Sequence, residues 1–594
     1  MHVRLDGVEK GRERIRFLLD GEVVEAHEGD SIASAMIAAG KIVFRKSHSE
    51  SDRGMYCGMG VCGECQILIG TESKRACMEK VSEGLAVTRH PSRRILQVDR
   101  TAPAASIGDW LEISTDVLIV GAGPGGLSAA IAAARYGLQV LVVDERALPG
   151  GQYFKQPSLE FEIHEEQLDR QFLQGRQLIR QAEELGVRIR SGTAVWGTFE
   201  NSKVAASSKD ETLLIAAKRI VLSPGAYERP VPFPGWTLPG VTTTGAAQTL
   251  LRAYKTVPGK RVLVAGNGPL NIQVAEELSK AGANVVAVVE SAKSPFASPV
   301  AGLRMMFSDF RLTCAGIGQL AMLRAKGIPL HFRHVLFGAD GTDRVHTASI
   351  ARMDDDGRIL AGTEKHFSVD SVCINSGFFP QSELARSLGC EYDFDHTTGT
   401  VIARRTQDGR TDAEHVFVIG DASEFGGARV AACQGAIAGY TIARDLDPGS
   451  VNDRVLARLR SQLMRHRRFQ RALWRMYRAP HFSAELARPD TIICRCEDLD
   501  LQTIERHFSD GSRSLASLKK ASRAGMGRCQ GRYCSSLLAS MCSRSGSTSH
   551  DSDFFAPRPP FKPTPLRTIA GSCGQAIQPS DLLNTNSNSA NILP

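Results

Sequence analysis

STDVLIVGAGPGGLSAAIAAARYGLQVLVVDE, residues 114–145, reads as a strand, a glycine-rich turn, a helix and a second strand. Gly121, Gly123 and Gly126 form G-x-G-x-x-G directly after the apolar strand. Each glycine has its own task in that setting. The first makes the tight turn, the second lets the backbone approach a pyrophosphate at the helix N-terminus, and the third lets helix pack on strand. Asp144 ends the second strand 23 residues after Gly121, where a carboxylate accepts from a ribose hydroxyl. Glu145 is adjacent and offers the same chemistry. The stretch predicts a Rossmann-like α/β domain that holds an adenine dinucleotide.

A later segment narrows the choice of dinucleotide. HVFVIGDASEFGG, residues 415–427, resembles the late motif of flavoproteins with two dinucleotide-binding domains. The resemblance implies that Asp421, after Gly420, binds the ribityl chain of FAD. It also implies that the helix beginning near Ala428 points its N-terminus at the flavin. PGGQ, Pro149 to Gln152, stands where that family places residues near the isoalloxazine, so Gln152 joins the cofactor residues.

Between these segments, KRVLVAGNGPLNIQVAEELSKAGANVVAVVE, residues 260–290, repeats the strand–turn–helix–strand pattern. Gly266 and Gly268 are present, Asn271 replaces the third glycine, and Glu290 ends the strand. Asn271 is expected to crowd helix against strand. Three states fit the loop: NAD held loosely, another adenine nucleotide, or a vestige. Glu290 disfavours NADP, because a carboxylate there repels a 2′-phosphate.

Fourteen cysteines punctuate the chain, and eight fall into two sets. Cys57, Cys62 and Cys65 in YCGMGVCGEC, with Cys77 in RAC, follow C-x4-C-x2-C plus one distal Cys, the plant-type 2Fe–2S spacing. Gly54, Gly58, Gly60 and Gly63 let such a loop turn tightly and aim N–H groups at sulfur. Zinc sites usually show two C-x2-C pairs, and only Cys62–Cys65 fits that. Cys494 and Cys496 in ICRCED, with Cys529 and Cys534 in GRCQGRYC, form the second set. Cys314, Cys373, Cys390, Cys433, Cys542 and Cys573 are scattered and read as packing or tail thiols.

Composition is that of ordinary globular domains: 594 residues, 42% hydrophobic and 23% charged. No run of about 18 apolar residues exists, so no membrane span is expected. The first residues, MHVRLDGVEKGRER, lack an apolar stretch suited to a secretory signal. Clustered cysteines outside a disulfide framework suit a reducing compartment, so a cytoplasmic location is expected.

The net charge of +8 is uneven. Residues 454–478 carry nine arginines and no acid, interleaved with Leu456, Leu459, Leu463, Leu473, Trp474 and Tyr477. The pattern predicts an amphipathic helix that joins two domains, or a docking face for an acidic partner or a cofactor phosphate. No recognition motif accompanies the charge, so nucleic acid is not expected.

The domain order follows. A 2Fe–2S ferredoxin-like domain of β-grasp type is expected over 13–98. The FAD-binding domain is split between 114–255 and 346–446, around a second dinucleotide-binding domain at 256–345. A basic helical connector covers 447–485, a small helical 2Fe–2S domain 486–545, and a Pro-, Ser- and Asn-rich tail 546–594. Within the tail, PRPPFKPTPLRTIA is expected to wrap extended along the surface. LNTNSNSANILP reads as disordered.

This order resembles the large subunits of heteromeric bacterial amine and imino-acid dehydrogenases. That family includes the opine oxidases, hydrogen cyanide synthase, hydroxyproline and proline dehydrogenases, and heterotetrameric sarcosine oxidase. CRCE together with KKASRAGMGRCQGRYC, Lys519 to Cys534, is similar to the bacterioferritin-associated ferredoxin type. The resemblance covers roughly residues 13–565. It implies an FAD-dependent oxidoreductase acting on CH–NH donors and carrying electrons to an acceptor. It also implies a flavin amine oxidase-type partner subunit that oxidises the substrate. The alternative is a self-sufficient NADH-dependent flavoprotein reductase. No Ser–His–Asp, HExxH or paired-carboxylate hydrolytic site is legible, and the sequence names no catalytic residue.

Overall fold

In the computed structural model, residues 13–92, 110–161, 168–199, 203–395, 400–448, 452–512, 514–544, 555 and 557–571 are described. LNTNSNSANILP and most of the linker TAPAASIGDW lie outside them.

Asp20 and Gly21 both take left-handed backbone angles, as a two-residue hairpin loop requires. Arg14–Leu19 thereby folds back on Glu22–His27. Strand Ala86–Arg89 runs parallel to the first of these and antiparallel to Gln66–Ile69. Glu72–Arg75 completes a five-stranded sheet. Helix Ile32–Ala38, capped by Ser31, is buried along its whole length against Phe17, Leu19, Phe44 and Ile67.

Strand Leu111–Val120 is central to a seven-stranded sheet, with Val140–Val143 on one side and Thr212–Leu222 on the other, all parallel. Val416–Val418 joins beyond Thr212–Leu222, which carries Asp421 to the C-terminal edge of the sheet. Helix Pro124–Ala134 lies against helix Ala428–Leu446 at very short range. A Cβ on Gly435 would stand 2.0 Å from the Gly125 oxygen, and one on Gly439 2.4 Å from the Ala129 oxygen. Two glycines one turn apart thus let the helices touch backbone to backbone, bringing the first glycine loop and the Gly420–Asp421 segment together.

A second, all-parallel sheet has the order Val241–Thr243, Ser371–Asn375, Arg261–Gly266, Asn284–Glu290, Leu330–Phe332. The strands at 241–243 and 371–375 therefore pair outside the 256–345 span expected for the second domain. Each is short, and only its partner across space decides its sheet.

The arginine-rich segment forms helix Asp453–Met476, capped by Asn452. Leu456, Leu463, Phe469 and Ala472 are buried against helices Ala428–Leu446 and Pro299–Ser308. Arg460 pairs with Asp408, and Arg467 reaches Glu424. Arg454, Arg458, Arg465, Arg468, Arg471, Arg475 and Arg478 stay exposed.

The hairpin Ile492–Cys494 and Leu499–Asp500 leads into helices Leu501–Ser509, Leu515–Ser522 and Ser535–Arg544. Residues 557–571 then cross the molecule. The Phe561 N–H donates to the Trp196 carbonyl at 2.7 Å, Lys562 pairs with Glu145, and Arg567 pairs with Glu72. No helix among the described residues is long and apolar enough to cross a membrane.

Candidate functional site

Gly121 has φ +103°, and a Cβ there would stand 2.3 Å from the Ser223 oxygen. A Cβ on Gly126 would stand 1.9 Å from the Gly121 oxygen, so helix and turn close on each other. Gly123 differs: its built Cβ meets only the Gly151 Cα, at 3.9 Å. Its face is open at the N-terminus of helix Pro124–Ala134, where no side chain caps the free N–H groups. That arrangement fits a pyrophosphate.

Asp144 does something the motif alone does not announce. Its carboxylate accepts from the Ala122 N–H at 2.7 Å and the Arg146 N–H at 2.8 Å, holding the glycine turn from within. Glu145 faces the cavity beside Lys562, a residue from the tail. Sequence reading had no means to place Lys562 here, because 417 residues separate the pair.

One cavity of about 810 Å³ links these parts. Gly123, Glu145, Gln152, Asp421 and Gly420 line it, a size usual for cofactor sites. One carboxylate oxygen of Asp421 accepts from the N–H groups of Gly426 and Gly427 at 3.0 and 2.8 Å. Lys155, three residues after Gln152, is buried in the wall and donates to Gln248 at 2.9 Å. Burial pushes its ammonium down to about 7. Glu228, also buried in the wall, accepts from the Gly245 N–H at 2.9 Å and from Asn375 at 2.8 Å. Cys57 and Met59 reach the same cavity from the first cysteine loop.

The second glycine loop opens on the cavity through Asn267, Gly268 and Pro269. Gly266 needs to be glycine, since a Cβ would sit 1.9 Å from the Asn375 oxygen. Asn271 is accommodated rather than crowded. Its amide donates to the Asn375 oxygen at 3.0 Å and its oxygen accepts from Thr244 at 2.8 Å. Glu290 is buried and accepts from the Gly268 and Ala292 N–H groups and the Asn267 amide. Burial pushes its carboxyl up to about 7. Like Asp144, it anchors its own loop. The indole of Trp474, from the arginine-rich helix, lies against the Gly268 face, 3.4 Å from a built Cβ. A phosphate approaching that glycine meets the ring.

The cysteines are arranged in pairs. Cys57 faces Cys62, and Cys65 faces Cys77; in the second set Cys494 faces Cys534, and Cys496 faces Cys529. Among the described residues no group of three or more His, Cys, Asp or Glu side chains is gathered for a single ion. Two pairs per set, each able to take one iron of a two-iron cluster, suit the 2Fe–2S spacing of the sequence. The loops are also built for anionic sulfur. The Met59 and Cys62 N–H groups point at Cys57 Sγ at 3.5 and 3.4 Å, and the Glu64 N–H points at Cys62 Sγ at 3.4 Å. Burial opposes a charged Cys57, yet hydrogen bonds from Cys62 and the Met59 N–H hold it below the usual thiol range.

Comparison with known proteins agrees with this geometry. Residues 115–438 match the family described as pyridine nucleotide-disulphide oxidoreductase. Residues 12–92 match a 2Fe-2S iron-sulfur cluster binding domain, and residues 492–541 a BFD-like [2Fe-2S] binding domain. The chain is 29% identical over 491 residues to an opine oxidase subunit of Agrobacterium tumefaciens (strain Ach5), covering 79% of this chain and 94% of that protein. It is 30% identical over 461 residues to hydrogen cyanide synthase subunit HcnB of Pseudomonas aeruginosa, covering 76% and 97%. Among solved structures, L-proline dehydrogenase from P. horikoshii superposes with a TM-score of 0.68 at 19% identity, over 95% of this chain and 99% of that one.

Proposed function

Because the chain belongs to the pyridine nucleotide-disulphide oxidoreductase family and carries a 2Fe-2S domain on each side of that fold, we propose that it is the flavin and iron–sulfur electron-transfer subunit of a heteromeric amino-acid, imino-acid or opine dehydrogenase. The observation that carries this reading is the shared cavity: Gly123 and Asp421 from the flavin segments and Cys57 from the first cysteine set line one space. The matched relatives are named as subunits and are covered almost end to end, which supports a role as one chain of a hetero-oligomer. The partner proposed is a flavin amine oxidase-type subunit, and the location proposed is the cytoplasm.

When bound, FAD accepts electrons in pairs and releases them singly, and each 2Fe–2S cluster carries one. The chain's residues position these groups. Gly121, Gly123 and Gly126 would cradle the pyrophosphate, with Asp144 bracing the turn, and Glu145 would accept from the ribose. Gln152 and Lys155, which line the same cavity, would hold the flavin ring, and the second oxygen of Asp421 would accept from the ribityl hydroxyls. Cys57, Cys62, Cys65 and Cys77, and Cys494, Cys496, Cys529 and Cys534, supply the thiolates.

Asp421→Ala removes a charged acceptor and the anchor of the Gly426–Gly427 turn together. A charge-assisted hydrogen bond contributes about 1.5–3 kcal/mol, so FAD retention is expected to weaken ten- to a hundredfold, read by flavin release on dilution. Metal analysis of the wild type is expected to give about four iron and four acid-labile sulfide per chain, two per cluster. Cys62→Ser should halve both while flavin stays bound. One cluster, or zinc in place of iron, would remove one set from the reading.

An adenine nucleotide at the second loop is the lesser part of this reading: it would rest on Gly266 and Gly268, with Glu290 bracing the turn, only with the Trp474 indole displaced from the Gly268 face. The indole of Trp474 against Gly268 opposes hydride delivery from there. Adding NADH to the isolated chain is therefore expected to leave the flavin absorbance unchanged. Rapid bleaching would instead favour the NADH-dependent reductase.

A further inference from the structure

The two cysteine loops meet face to face. Cys496 Sγ lies 3.8 Å from the Cys62 carbonyl oxygen, and Arg528, beside Cys529, packs on Gly63. An ion pair sits at the centre of this contact, made by the middle residues of the two motifs. Glu64 stands in Cys62-Gly63-Glu64-Cys65, and Arg495 stands between Cys494 and Cys496. Arg495 Nη2 donates to Glu64 Oε2 at 3.2 Å. Glu64 is 0% exposed; its Oε1 accepts from Arg45 at 2.7 Å, and Arg53 Nε lies 3.9 Å from Oε2.

Arg495 is equally enclosed. Its guanidinium lies over the rings of Tyr56 and Trp236, 4.2 and 4.6 Å from their centroids, and donates to the Trp236 carbonyl at 2.9 Å. At the rim Asp498 accepts from Ser47 at 2.8 Å and the Ser49 N–H at 2.9 Å, and pairs with Arg53.

Burying a charge pair costs desolvation that an apolar contact of the same shape avoids. A domain interface alone therefore does not call for Glu64 and Arg495. Their placement does have a distinctive consequence: each charge belongs to one cysteine loop and stands against the other. In an interior of low effective dielectric, such charges act on both loops.

Resting on the electron-transfer reading above, we propose that Glu64 and Arg495 are positioning residues that couple the two iron–sulfur sites, holding the cysteine loops together and setting the potentials of both sites jointly. The pair's two charges then act with opposite sign on any electron added nearby. Losing the Arg495 charge leaves the site more negative and disfavours reduction; losing the Glu64 charge leaves it more positive and favours reduction.

The experiment is a potentiometric titration of the full chain, followed by electron paramagnetic resonance, with iron and sulfide counted in every sample. E64Q is expected to raise, and R495M to lower, the potentials of both sites. Each shift should be about tenfold in the reduction equilibrium, or 59 mV for a one-electron couple. R495K keeps the charge and should stay near the wild type. A merely structural role would not reverse sign between E64Q and R495M. Shifts of equal sign, shifts confined to the mutated loop, or no shift with full iron would overturn the coupling. Where R495M loses its iron, E64Q and R495K still decide. A wild type without two clusters would instead overturn the electron-transfer reading itself.

Discussion

Gly123→Val is expected to yield a folded chain that carries its iron and no FAD. The three glycines of the first loop differ in what a side chain would meet. At Gly121 and Gly126 a Cβ would collide with backbone oxygens at 2.3 and 1.9 Å, so substitution there disrupts the turn itself. At Gly123 the nearest atom is 3.9 Å away and φ is −78°, a backbone angle open to any residue. The protein has room for the valine; a pyrophosphate in contact with that backbone does not. Losing two or more charge-assisted contacts, each about 1.5–3 kcal/mol, predicts a loss of affinity beyond a hundredfold. Flavin absorbance and iron content of the purified variant check this. Full FAD content would mean that the first loop holds something else.

The second large effect concerns activity. The isolated chain is expected to be nearly inert toward proline, hydroxyproline, sarcosine and opines. Adding the flavin amine oxidase-type partner should restore dye reduction. Without a partner to hold substrate against a reactive group, turnover should fall below about a hundredth of the complex's. In the complex, Cys529→Ser should lower kcat with little change in KM, because it removes a step after substrate binding. The exposed arginines of helix Asp453–Met476 offer a face to an acidic partner, and such pairing should weaken as salt rises. A substrate panel on the chain alone is the measurement. Robust turnover without the partner would place substrate oxidation within residues 114–446.

Much of the site was legible because it depends on local chemistry. A glycine turn after an apolar strand, a Gly-Asp pair closing another strand and thiols at fixed spacing each need only their neighbours in sequence to be recognised. The expected extended path of PRPPFKPTPLRTIA agrees with the course of residues 557–565, but its last five residues form the short helix Leu566–Ala570. Other readings missed the local balance of forces. Asn271 looked like an obstruction, but a buried amide with two partners is a bridge. Asp144 and Glu290 also have a task that their motifs do not announce: each carboxylate is drawn to the unpaired N–H groups of its own turn.

By itself, the sequence determined the fold class, the two glycine loops, the two cysteine sets and the basic helix, because each is written in a short period or a fixed spacing. Tertiary structure alone decided which sheet takes the strands at 241–243 and 371–375, that Trp474 covers Gly268, that Lys562 meets Glu145, and that Glu64 meets Arg495. These contacts join residues separated by more than a hundred positions. Their energies depend on which surfaces are shut away from water together, and no local pattern encodes that. A glutamate between two cysteines is ordinary in the chain; only the guanidinium brought against it from 431 residues away makes it half of a buried ion pair between the two cysteine loops.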